Sequence, residues 1–213
     1  MVPTVIYFAT PSTPQIREVA RTGWCGLIVQ PNSGYRPAFV SGAAWVADCG
    51  VFGADGTSKF NEPRWLAFLE RFARFADRCV FAVVPDVVGD HEATLAQWDT
   101  YADVVTGFGY RPAFVLQDGC TPDEIPEDAY AVFVGGSDRF KLSAEARVCV
   151  DSARDLAMWT HMGRVNSRTR LLTAASWGCD SVDGTYAAFG PDINFPRLLA
   201  WTEEANMRQE LAS

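Results

Sequence analysis

The sequence predicts an α/β fold: a trimmed (β/α)8 (TIM) barrel forming a single domain over residues 1–213. Three observations lead there. Short β-branched or aromatic runs occur eight times, helical periodicity fills several of the gaps, and the runs are apolar on both sides, as in a parallel sheet covered by helices. Eight such runs in 213 residues fit a closed barrel better than an open doubly wound sheet, the alternative arrangement of the same alternation.

Taken in order, residues 5–9, 26–30 and 44–48 supply the first three strands. Residues 63–78 follow as a helix with Trp65, Phe68, Leu69 and Phe72 on one face, and Pro63 stands where a first-turn proline is tolerated. The fourth strand, 80–86, precedes a helix over 91–106, and strands over 113–118 and 130–136 come next. Ser143 with Glu145 and Ala146 opens a helix over 143–160. A seventh strand over 161–165, a helix over 168–177, an eighth strand over 179–183 and a last helix over 195–211 complete the pattern.

Composition narrows the function classes. With 48% hydrophobic and 21% charged residues the chain can bury a sizeable core. A net charge of −8 repels nucleic acid and anionic membranes over the surface as a whole, although a local basic rim is compatible with it. No stretch approaches 18 consecutive apolar residues, and no basic region precedes the first strand, so membrane spanning and secretion are disfavoured and a cytoplasmic location is expected. The six cysteines, Cys25, Cys49, Cys79, Cys120, Cys149 and Cys179, form no close pair, and the histidines are His91 and His161 alone. That set offers no tetrahedral metal site and suggests free, mostly buried thiols; neither metal nor redox cofactor is expected.

The strand-like runs tend to end in a polar or glycine residue: Asp48, Asp86, Gln117-Asp118, Gly135-Gly136 and Asp183. In a barrel these positions share the C-terminal rim, where barrel enzymes place their chemistry. Four carboxylates there repel one another unless some bind a donor-rich ligand or hold a proton. The alternative for any one aspartate is a cap on the following helix or turn.

These strand ends resemble those of the tRNA-guanine transglycosylase family. Residues 45–52 (Trp-Val-Ala-Asp-Cys-Gly-Val-Phe) are similar to the family's Asp-Ser-Gly-Gly-aromatic strand end. Gln117-Asp118-Gly119 resembles its Gln-Gln-Gly, Val134-Gly135-Gly136 its Val-Gly-Gly, His161-Met162-Gly163 its Leu-Met-Gly, and the stretch Asp180 to Asp183 its Asp-x-x-Asp. The five occur in the family's order between residues 44 and 185, and they are most similar to the short branch, from bacteriophages and bacteria, that places 7-deazaguanines in DNA. The tRNA-acting relatives carry a C-terminal zinc subdomain, whereas no cysteine or histidine follows Gly184 here.

The resemblance implies exchange of guanine for a 7-deazaguanine base, such as preQ0 or a derivative, in DNA. Asp183 matches the nucleophile that would hold C1′ as a glycosyl ester, and Asp48 the acid/base residue. Asp180 and Asp183 are an odd number apart, so only one can face the barrel interior. Asp86 can accept from N1–H and the 2-amino group, while Gln117, Asp118, Gly135 and Gly136 frame the base edge, with the Gln117 amide and the Gly136 N–H as donors to O6. Phe52 and Met162 would wall the base, with ordinary core packing as the alternative for both. His161 reads more readily as a hydrogen-bonded strand histidine than as a catalyst. Arg139, Lys141, Arg164, Arg168 and Arg170 follow strands six and seven and could form a phosphate-binding rim, or simply a solvated charged face. The expected partners are DNA and the free base, with a second subunit or a homodimer as a further possibility. Exchange on tRNA or a nucleoside, and a silent base-binding protein, are the rival functions.

Overall fold

The computed structural model describes residues 5–51 and 60–211. Eight parallel strands close in chain order: β1 (Ile6–Ala9), β2 (Gly26–Val29), β3 (Trp45–Ala47), β4 (Cys79–Val83), β5 (Pro112–Leu116), β6 (Ala131–Val134), β7 (Trp159–Met162) and β8 (Ser181–Gly184), with β8 returning to β1. The closing seam pairs Phe8 with Asp183 and Ala9 with Gly184, so the end of β8 stands beside the end of β1. This is the expected single-domain (β/α)8 barrel.

Six α-helices cover the described part of the barrel: α1 (Pro14–Arg21), α2 (Glu62–Phe72), α3 (His91–Gly107), α4 (Ala144–Asp155), α5 (Arg168–Ser176) and α6 (Pro191–Glu210). Only 3-10 turns stand between β2 and β3 and between β5 and β6, and this makes the barrel trimmed. Trp65, Phe68, Leu69 and Phe72 of α2 are buried on one face, as the 3.6-residue spacing required. Among the described residues no helix is long and apolar enough to cross a membrane.

Several boundaries differ from the sequence reading, among them the start of α6 at Pro191 instead of residue 195 and the end of β4 at Val83 instead of residue 86. Helix α1 lies where periodicity alone gave no helix: in eight residues it buries only Ile16 and Ala20, and its signals are instead the Thr13 cap and Pro14 in its first turn. The segment expected to be helical over 63–78 tightens into a 3-10 turn at Ala73. Helix α4 ends at Asp155 because Trp159 and Thr160 are the start of β7, where they pair with Ala131 and Val132. All six cysteines are free and buried.

Strand alternation sorts the core into two layers. Trp45 on β3 points outward, where its indole N–H donates to Phe75 O at 2.9 Å and its ring packs against Phe72 and Tyr110. Inside the barrel Phe8, Phe81 and Phe133 surround the His161 ring, with centroids 6.1, 5.2 and 4.6 Å away. Above this layer the inward chains Ile28, Val83, Val115 and Phe133 form the floor of a cavity.

Candidate active site

The cavity opens at the C-terminal ends of the strands and has a volume of about 360 Å3. Its walls carry Asp48, Asp86 and Asp183 together with Lys141 and Arg164, while Thr10 and Gln30 join them from just after β1 and β2. Three of the four rim aspartates therefore converge, and their contacts differ.

Asp183, the second inward residue of β8, receives donors on both oxygens. Arg164 N–H donates to Oδ1 at 3.1 Å, and His161 Nε2 lies 2.9 Å from Oδ2. The other ring nitrogen, Nδ1, lies 2.8 Å from Ser181 Oγ, which accepts the Trp159 indole N–H at 2.7 Å. Since a carboxylate only accepts and an indole only donates, Nε2–H donates to Asp183 and Trp159 donates to Ser181, whose hydroxyl is the partner of Nδ1. The imidazole is fully buried, so it positions the carboxylate and lies out of reach of a ligand. Arg164 presents its N–H from a left-handed backbone (φ 59°), a conformation that costs a non-glycine residue free energy and is held here by its guanidinium on Gly136 O at 2.5 Å. Asp180 sits at the opposite end of β8, where its carboxylate accepts from the Thr160 N–H and hydroxyl at 2.7 and 2.9 Å and ties β8 to β7.

On the opposite wall burial outweighs the donors. Burial pushes the Asp48 carboxyl up to about 6; the Gly50 N–H, 3.1 Å away, opposes the rise, and the charges of Asp183 and Asp86 add to it. Asp86 is likewise raised by burial, against hydrogen bonds from Cys49 Sγ at 3.3 Å and Gln117 Nε2 at 2.6 Å.

Several expected roles are corrected by these contacts. The Gln117 amide gives one hydrogen to Asp86, and its oxygen accepts from Gly89 N–H at 2.8 Å, so it orients Asp86 and has only its second hydrogen left for a base. Asp118 is turned out of the cavity: both oxygens bind Ser137, through its N–H at 2.7 Å and its hydroxyl at 2.6 Å, which makes it the loop cap that was its alternative. Gly136 is demanded by its φ of 71° and by crowding, since a Cβ would meet Asp118 Oδ2 at 2.7 Å and Phe140 at 2.8 Å. Gly135 lines the cavity, where a Cβ would strike Val115 at 2.5 Å. Met162 is buried outside the cavity because His161, its neighbour on β7, takes the inward position. Phe52 lies outside the described residues.

The five basic residues do not form one rim. Lys141 is 4% exposed and lines the cavity with Arg164. Arg168 grips Glu204 through two hydrogen bonds of 2.7 and 2.5 Å, and Arg170 pairs with Asp138 at 3.4 Å. Arg139 is exposed. Sequence reasoning missed Thr10 and Gln30, whose Oγ1 and Oε1 are buried without hydrogen-bond partners. Both are polar residues at the end of an apolar run, the signal that singled out the aspartates.

No family model matches the sequence, and no curated protein matches it. Solved structures similar to it include tryptophan synthase from M. tuberculosis (17% identity, TM-score 0.54, covering 97% of this chain and 92% of that one). A chain of the Amycolatopsis orientalis BexX/CysO complex matches at 14% identity and TM-score 0.60, covering 98% and 90%. A mandelate oxidase variant matches at 14% identity and TM-score 0.60, covering 98% and 73%. At such identities the shared property is the barrel fold.

Proposed function

We propose that the protein is an enzyme, a transglycosylase that exchanges guanine for a 7-deazaguanine base in DNA through a covalent ester between Asp183 and C1′ of the deoxyribose. The observation that carries this reading is the facing pair of carboxylates in one cavity, Asp183 met by donors on both oxygens and Asp48 pushed up to about 6. Base exchange needs that division of labour. Asp183 attacks C1′ as an acceptor-only carboxylate fixed by His161 and Arg164, while Asp48 gives a proton to the departing guanine near N9 and takes one from the incoming base. In this reading Asp86, which lines the cavity and is braced by Gln117, accepts from N1–H and the 2-amino group of a guanine-like edge.

The same cavity requires that a target base leave the stack, because a carboxylate in a barrel mouth cannot reach C1′ within a duplex. The preference for DNA rests on the resemblance to the short DNA-acting branch. With Arg168 and Arg170 already paired, Arg139 is the most available of the five basic residues for a phosphate, so a second subunit supplying nucleic-acid contacts fits the reading. Labelled 7-deazaguanine bases offered with DNA and tRNA in parallel test it. Incorporation into DNA is expected; incorporation into tRNA alone would move the activity to RNA, and binding without incorporation would leave a base-binding protein.

A further inference from the structure

Base exchange as described leaves one reactive group of the cavity without a task. Lys141 is 4% exposed, lines the same cavity as Asp48 and Asp183, and makes a single hydrogen bond, to Gly163 O at 3.4 Å. Among the described residues no carboxylate lies within ion-pair distance of this amine, although the charges of Asp183 and Asp138 act on it, so it is open to a ligand in the cavity. We propose that Lys141 captures carbonyl groups, its Nζ condensing with the C1′ aldehyde of a ring-opened abasic deoxyribose bound in the cavity.

The step balances without any outside oxidant or reductant. The Nζ lone pair adds to C1′, a proton moves from nitrogen to oxygen, and the carbinolamine loses one water to give the imine. Asp48, on the same cavity, can protonate the departing hydroxyl. The aldehyde has a source in the exchange itself: water attacking the Asp183 ester in place of an incoming base releases a C1′ hemiacetal, which opens to the aldehyde. Burial, together with the charges of Arg164 and Arg170, lowers the Lys141 amine to about 7 against the opposing pull of Asp183 and Asp138. Desolvation and a neighbouring cation are the two ways a lysine is made nucleophilic.

The choice of an abasic sugar rests on the base-exchange reading, whereas the reactivity of the amine rests on the cavity alone. The test is borohydride trapping. Wild-type protein is incubated at pH 7 with sodium cyanoborohydride and a single-stranded oligonucleotide bearing one abasic deoxyribose, and the adduct is mapped by peptide mass spectrometry. Because the chain has two lysines, Lys59 and Lys141, the assignment is unambiguous. An adduct on Lys141 at least tenfold above that with the same oligonucleotide reduced to the sugar alcohol is expected, and Lys141→Met should remove it. An adduct confined to Lys59 or the terminal amine, or trapping of pyruvate or glycolaldehyde but not of the abasic strand, would overturn the proposal. Base exchange is measured on the matching guanine oligonucleotide: exchange without any adduct overturns the role of Lys141 alone, and an adduct without exchange upholds it while removing the transglycosylase reading.

Discussion

The β7–β8 wall and the β3–β4 wall of the cavity carry the same kind of side chain in opposite surroundings. On the first, Asp183 is reached by Arg164 N–H and by a hydrogen-bonded line running Trp159, Ser181, His161. On the second, Asp48 has the Gly50 N–H at 3.1 Å, and burial raises its carboxyl to about 6. Aspartate identity therefore does not fix the role; burial raises the carboxyls of Asp48 and Asp86, and the fixed donors around them oppose the rise. Two acids of one type can then serve as nucleophile and as proton carrier at the same pH.

The largest test of this contrast is Asp183→Asn. The amide keeps the shape but loses the nucleophile, so base exchange should fall at least about a thousandfold, about 4 kcal/mol of barrier, while free-base binding stays within about twofold. Retention of more than a few per cent of activity would assign the nucleophile elsewhere. Asp86→Ala should weaken binding of a guanine-like base by about 1.5–3 kcal/mol, the range for a hydrogen bond to a charged group. Equal calorimetric affinity would make Asp86 structural.

The donor line can be cut with His161→Phe, which keeps an aromatic ring among Phe8, Phe81 and Phe133. It leaves Asp183 Oδ2 and Ser181 short of a partner and should lower stability by about 1–3 kcal/mol in urea unfolding. Asp48→Asn acts in the other direction. A carboxyl raised from 3.8 to about 6 on folding contributes stability below pH 3.8 that is lost as pH rises through 6. The amide escapes that loss, so the variant should be more stable than wild type by about 3 kcal/mol at pH 8 and indistinguishable from it at pH 3. A difference independent of pH would show that Asp48 is not the proton carrier of this pair.

The alternation of apolar runs and amphipathic segments determined the barrel, because burial on both faces of a strand and one face of a helix leaves few ways to pack them. The polar endings of those runs likewise placed Asp48, Asp86, Gln117 and Asp183 on one rim, since parallel strands deliver their C-terminal ends to the same face. Only the tertiary structure decided what each residue does there. Asp118 was indistinguishable from Asp86 as a strand-end acid until Ser137, 19 residues further on, took both its oxygens. Lys141 resembled its arginine neighbours as surface charge until the loop after β6 folded it into the cavity. His161 and Met162 exchanged their expected importance because strand parity admits one of two neighbours to the interior, and the closed barrel gave that position to His161. Contacts between distant segments control hydrogen-bond partners and desolvation, and both are properties of the closed barrel that local sequence cannot carry.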